Sequence, residues 1–128
     1  MTRTVLGLIA ALAISSPAWA QGSGHAHHGG QAVKIGKYEV ELVVKGPEVT
    51  AYVLDEQEKK VDASALTASA VVLAKGNQQK VIDFKPAGDN KLTARYDFPI
   101  EGRFRAVLTL KTKAGEAGNG RYNLNIGR

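Results

Sequence analysis

The chain has no cysteine, which excludes disulfides, thiolate nucleophiles and Cys-based zinc sites. Its single methionine and single tryptophan are Met1 and Trp19, both inside a segment with the features of a removable leader. Beyond residue 20 no sulfur ligand remains, and with it goes the thioether or thiolate site that selects Cu(I). Aromatic residues make up 6% of the chain. They are not interleaved with basic residues in the way a single-strand stacking platform requires, so nucleic acid is not an expected partner. Long apolar runs are missing too. The longest, 5–14, has ten residues, about half of the ~20 that a membrane-spanning helix needs.

What is present at the start reads as an export signal. Arg3 supplies a positive charge, residues 5–14 an apolar stretch, and Ala18-Trp19-Ala20 a small-x-small cleavage site. Residues 1–20 are therefore expected to be a signal peptide cleaved after Ala20, in a periplasmic protein without a membrane span. No cysteine follows the cleavage site, so lipid attachment there is excluded. In an oxidising compartment, a chain without cysteine depends on packing alone for stability.

Residues 21–32, QGSGHAHHGGQA, carry no large apolar side chain and cannot offset their ordering entropy by burial. They are expected to form a flexible His/Gly-rich tail. From residue 33 to 128 the sequence is a series of short alternating segments separated by turn residues, with no long 3.6-residue period. That pattern predicts an all-β fold: an immunoglobulin-like antiparallel sandwich of about seven strands. The expected strands are 37–45, 49–54, 67–74, 80–85, 92–98, 104–110 and 122–126. Gly36 reads as a bulge or break, because Val33 and Ile35 have the opposite parity to Tyr38, Val40, Leu42 and Val44. Residues 67–74 are apolar on both faces, as in a central strand, so Val71 and Leu73 are expected in the core. The rest of that core is Leu42, Val53, Ile82, Phe84, Leu92, Tyr96, Phe98, Phe104, Leu108, Leu110, Tyr122 and Leu124. Residues 115–120 read as a flexible loop. Asp62 begins either a single helical turn over 63–66 or a plain loop.

All three histidines, His25, His27 and His28, lie within the tail. Imidazole is the commonest protein ligand for borderline divalent metals, and these three are the candidate ligands for Cu(II), Zn(II), Ni(II) or Co(II), with no metal required for folding. Glu39 and Glu41 follow closely enough to complete a site, although their parity also fits the solvent face of an edge strand. The tail reads equally well as a solvated linker without a ligand. An enzyme is not expected. Beyond the tail there is no histidine to act as a base, and Ser64 and Ser69 near Asp62 lack the partner that would activate them. Arg95, Arg103, Arg105, Lys111 and Arg121 fall on outward positions of the last strands. They suggest either a basic docking patch or a solvated face.

The stretch HHGGQAVKIGKYEVELVV, residues 27–44, followed by 49–55 and 60–63, resembles the His-Gly-Gly region and small β domain of periplasmic adaptor proteins of RND-type heavy-metal efflux pumps. The stretch FPIEGRFRAVLTL, residues 98–110, resembles the closing hairpin of YtkA-like sandwich domains. The resemblance implies an immunoglobulin-like sandwich in a metal-handling setting, with His27 and His28 as ligands and periplasmic efflux components as partners. The chain departs from the adaptors in lacking their coiled-coil and lipoyl segments. It departs from copper-resistance sandwiches in lacking methionine and core histidine ligands.

Two functions stand open on this reading. One is a periplasmic accessory protein that binds or buffers divalent metal beside a heavy-metal efflux system. The other is an envelope interaction module without metal. Both require export. Intact-mass analysis of the periplasmic protein is expected to show loss of residues 1–20, and a full-length chain in the cytosol overturns the assignment.

Overall fold

Alternating apolar and polar residues, broken every few positions by glycine, proline or asparagine, fold here into eight antiparallel strands. The computed structural model describes residues 26–126. The expected leader, the first part of the tail with His25, and residues 127–128 lie outside the described residues. The strands are β1 (Gln31–Ile35), β2 (Tyr38–Lys45), β3 (Glu48–Leu54), β4 (Leu66–Ala74), β5 (Gln78–Pro86), β6 (Lys91–Arg95), β7 (Arg103–Thr112) and β8 (Gly115–Asn125). Their order across the sheet is β1-β2-β3-β6-β5-β4-β7-β8. Strands β4, β5 and β6 follow one another as hairpins and β7 returns beside β4, a Greek key.

The two layers meet at β5. Its residues from Gln78 to Phe84 pair with β4, whereas Lys85 and Pro86 pair with Thr93 and Leu92 of β6. One layer is β1, β2, β3 and β6; the other is β4, β7 and β8 with most of β5. The inward positions of both are apolar and form a single core, in which Val40, Leu42, Val49, Val53, Leu92, Phe104, Leu108 and Leu110 are fully buried. Small residues on β4 make room for larger neighbours: Ala70 lies between Ile82 and Leu108. A polar tie crosses the core, where the buried Tyr122 hydroxyl of β8 donates to the Val40 carbonyl of β2 at 2.8 Å. Burial pushes the Tyr122 phenol far above its ordinary value, so it stays a neutral donor.

The all-β architecture is as expected, with four local differences. There are eight strands rather than seven, because Gly36 is the turn of a hairpin between β1 and β2 and not a bulge. The change of parity at Gly36 marks a reversal of direction. The first strand begins at Gln31, two residues before the expected domain start, because Gln31 and Ala32 pair with Leu42 and Glu41. Residues 115–120 are the first half of β8 rather than a loop. Glycine is needed there because β1 passes close by: a Cβ on Gly120 would sit 2.9 Å from the side chains of Ile35 and Val33. Lastly, β4 is buried on one face only. Ala68, Ala70, Val72 and Ala74 point inward, Val71 is 40% exposed and Leu73 half-buried. Tyr96, Phe98 and Leu124 cover the rim of the core, partly buried.

The Asp62 helical turn is present as one 3-10 turn, Ala63–Ala65. The Asp62 carboxylate accepts from the Ser64 N–H at 3.0 Å and the Ser64 hydroxyl at 2.8 Å.

The phase of β4 makes a measurable distinction between neighbours. Val72→Ala removes methyl groups from the core and is expected to cost roughly 2 kcal/mol. Val71→Thr on the outward face is expected to change stability by less than about 0.5 kcal/mol. Urea denaturation of both variants checks it, and equal losses would contradict the register.

Candidate functional site

Residues alternate across β2, so Val40, Leu42 and Val44 turn to the core while Glu39, Glu41 and Val43 turn to the opposite face. A glutamate in such a place is ordinarily solvated. Glu41 is not: it is 4% exposed. Its strand lies between β1 and β3 rather than at an edge, and residues 27–30 fold back over the carboxylate. This corrects the reading of Glu41 as part of a solvent-exposed edge.

The segment supplies the donors that burial demands. Oε1 of Glu41 accepts from the His27 N–H at 2.9 Å, and Oε2 accepts from the N–H groups of His28 at 2.8 Å and Gly30 at 2.9 Å. The fourth partner is the His28 ring, whose Nδ1 lies 2.9 Å from Oε1. The two carboxylate oxygens therefore take up four donors. Three are backbone amides wrapped around one anion, the arrangement of an anion-binding nest. The His-His-Gly-Gly sequence allows the wrap. Gly29 takes a positive φ of 83°, and a Cβ on Gly30 would stand 2.1 Å from the Leu42 carbonyl oxygen, so only glycine fits at Gly30.

Burial pushes the Glu41 carboxyl upward, the largest single influence. The Gly30 N–H, the His28 ring and the N–H groups of His28 and His27 together outweigh it and hold the group below its ordinary value of 4.5. Glu41 is thus an anion at neutral pH, and the His28 ring donates to it through Nδ1–H. With Nδ1 engaged in this way, Nε2 is the ring nitrogen left clear of the carboxylate. The ring is held a second time by Tyr52, which lies directly across from Glu41 on β3. The two rings stack in parallel, centroids 3.7 Å apart and planes 4° from each other. The His28 side chain remains 45% exposed.

A hollow of about 420 Å³ opens beside this ring, bounded by His27, His28, Glu39, Tyr52, Lys60 and Asp89 among others. Lys60 and Asp89 form an exposed ion pair on its rim at 2.9 Å. Of the three histidines read from the sequence, the structure sets His27 and His28 at this hollow, and His25 lies outside the described residues. Among the described residues no three His, Cys, Asp or Glu side chains converge on a point that could hold a metal ion. The part of the tail at 27–30 is strapped to the sheet, and this replaces the expectation of flexibility for that part. None of the described helical segments is long and apolar enough to cross a membrane.

Tyr52 and the anchoring role of Glu41 are absent from the sequence reading. Tyr52 carried a signal, because Val49, Ala51 and Val53 point inward and oblige it to face out. Its position against Glu41 depends on the β2–β3 register, which the two-residue Gly46-Pro47 turn sets. The basic residues also divide differently from expectation. Arg103, Arg105 and Lys111 on β7 and Arg121 on β8 share one exposed face, but Arg95 belongs to the other layer, paired across from Glu48.

Comparison of the chain with protein-family profiles, with curated proteins and with solved structures finds no match.

The Glu41 contacts give a pH dependence of known sign. The folded group titrates below its unfolded value, so the strap's contribution is fully present above about 4.5 and is lost as pH falls through the lowered folded value. Amide hydrogen exchange at His28 and Gly30, corrected for intrinsic rates, is expected to stay slow at pH values above the ordinary carboxyl value of 4.5 and to accelerate only as pH falls below it. Glu41→Gln, which replaces an acceptor with an unwanted donor, is expected to lose roughly 1–3 kcal/mol and the acid transition with it. An unchanged acid transition in the variant would show that another group holds the segment.

Proposed function

We propose that this chain is an exported, non-enzymatic accessory protein that binds or buffers a divalent metal ion, with His28 as the anchoring ligand. The observation that carries the reading is the 2.9 Å contact between His28 Nδ1 and the buried Glu41 carboxylate. A carboxylate that holds one imidazole nitrogen orients the other toward a metal and raises its basicity, and this is the usual outer-shell arrangement of histidine metal sites. Stacking on Tyr52 fixes the plane of the ring. His27 borders the same hollow, and His25, two positions earlier, is near enough in sequence to contribute.

The donor set fits Cu(II), Zn(II), Ni(II) or Co(II), all of which accept imidazole nitrogen, better than Cu(I) or the oxygen-seeking Ca(II) and Mg(II). The four donors on Glu41 already use its lone pairs, so its part is to position His28 and not to ligate. Metal would be taken up at the surface with open coordination, which suits transfer more than permanent storage. A place beside a heavy-metal efflux system follows from the same reading together with the His-Gly-Gly resemblance. The second reading, an envelope interaction module, draws support from three exposed valines on the opposite layer.

Titration calorimetry with Zn(II), Cu(II) and Ni(II) tests the metal reading. The leaderless protein is expected to bind at neutral pH, and replacement of His25, His27 and His28 by alanine is expected to abolish binding with the β spectrum unchanged. Glu41→Gln is expected to weaken it roughly 10–100-fold. Equal affinity in the triple variant would move the site elsewhere, and no binding by the unaltered protein would overturn the proposal.

A further inference from the structure

We infer that the outward face of the β5–β4–β7–β8 layer is a docking surface for a protein segment that presents an apolar stripe beside a row of carboxylates. The strand register aligns Val81 of β5 with Val71 of β4, and Val71 with Val107 of β7. Three valines thus form one row across three adjacent strands, about 10 Å long at the usual strand spacing. All three are in water: Val81 is 65% exposed, Val71 40% and Val107 37%. Apart from Leu73, the other outward positions of the same strands are polar, with Thr67 and Ser69 on β4, Gln79 and Asp83 on β5, and Arg103, Arg105, Thr109 and Lys111 on β7. The apolar surface is therefore concentrated in a single row, with Leu73 half-buried beside it.

Charge sets the character of the partner. The next residue in the row, across from Val107 on β8, is Arg121, and Arg105 stands two positions from Val107 along β7. These two arginines, the valines Val71 and Val107, Leu73 and Gln79 border a hollow of about 390 Å³. Arg103 and Lys111 extend the cationic side, and Arg103 also bonds to Asn123. The acids of this face are Asp83, two positions from Val81 along β5 and across from Ser69, and Glu116, across from Lys111, so the acid on the valine side is set apart from the arginines at the other end of the row. Valines on one side and arginines on the other match a segment that is apolar along one edge and acidic along the next. Arginine is well suited to this task, because it pairs with carboxylates in bidentate geometry and loses little hydration.

Two other occupants fit less well. A second copy of this chain would bring two arginine-rich faces together, with few acids to offset them. A lipid surface calls for Trp, Tyr or long apolar side chains at headgroup depth, and this face offers valine. The surface lies on the layer opposite Glu41 and His28, so it stands or falls independently of the metal reading.

The probe is a short synthetic peptide alternating leucine and glutamate, titrated into the isotope-labelled leaderless protein and followed by amide NMR shifts. Shifts are expected at Val71, Val81, Arg105, Val107 and Arg121, and binding is expected to weaken with added salt. Replacing the peptide's glutamates by glutamine, or its leucines by serine, is expected to weaken binding at least about tenfold. So are Val81→Glu and the double change Arg105→Glu with Arg121→Glu. Val81 is exposed enough for its variant to keep the β spectrum, and a retained spectrum separates lost binding from lost fold. Shifts confined to the Glu41 face, no binding, or indifference to peptide charge would overturn the inference. So would two further outcomes: anionic phosphatidylglycerol vesicles bound with the same variant dependence, or concentration-dependent self-association abolished by Val81→Glu.

Discussion

A carboxylate buried on the outer face of a sheet is expensive unless its lone pairs are filled, and Glu41 imposes that condition on residues 27–30 just before β1. Four donors meet it: the amides of His27, His28 and Gly30 and the His28 imidazole. Because the amides come from a segment with almost no apolar surface, the usual driving force for ordering is missing there. Electrostatics takes its place. Charge-assisted hydrogen bonds are roughly twice as strong as neutral ones, and a cluster of them on one anion is enough to hold a His-Gly-Gly segment that hydrophobic burial could not. The same contacts select one imidazole nitrogen for the anion and reserve the other, so that the order of the segment and the chemistry of its histidine have a single cause.

The second constraint is closure. The path of the sheet leaves β1 and β8 as its two ends, and they lie side by side, Ile35 and Val33 against Gly118 and Gly120. Bringing a backbone that near leaves no room for a Cβ on β8, which accounts for glycine in a strand where its low β propensity is otherwise a cost. The Asn123 N–H donates to the Gln31 side-chain oxygen at 2.7 Å across the same seam. Closure shields two edges that would otherwise be open to pairing with another chain.

The fold class was legible because strand alternation is a local signal, strong from Lys91 through Leu110 and in the run around Tyr38 to Val44. What was not legible depended on pairing. The segment around Val71 is apolar at odd and even positions alike, and its phase is set by which side Ile82 and Leu108 occupy in the neighbouring strands. The glycines from 115 to 120 look like a loop until the approach of β1 supplies the reason for them. The candidate site was visible in part: His27 and His28 stood out by type, and Glu41 by nearness. Its actual role needed three facts of tertiary structure, namely the place of β2 inside the sheet, the register that sets Tyr52 against Glu41, and the reversal at Gly29. None of these leaves a periodic trace in the residues concerned.

The strap ties the two faces of the molecule to one short stretch of chain. From His27 to Gly30 it is bound to Glu41 on the outer side of the first layer, and at Gln31 its side chain reaches Asn123 of β8, next to Arg105 in the register of the second. Gln31 also borders the hollow between Val107 and Arg121. Only Gly29 and Gly30 lie between His28 and Gln31, whose backbone is paired with Leu42, so Glu41 fixes one end of the strap and the sheet fixes the other.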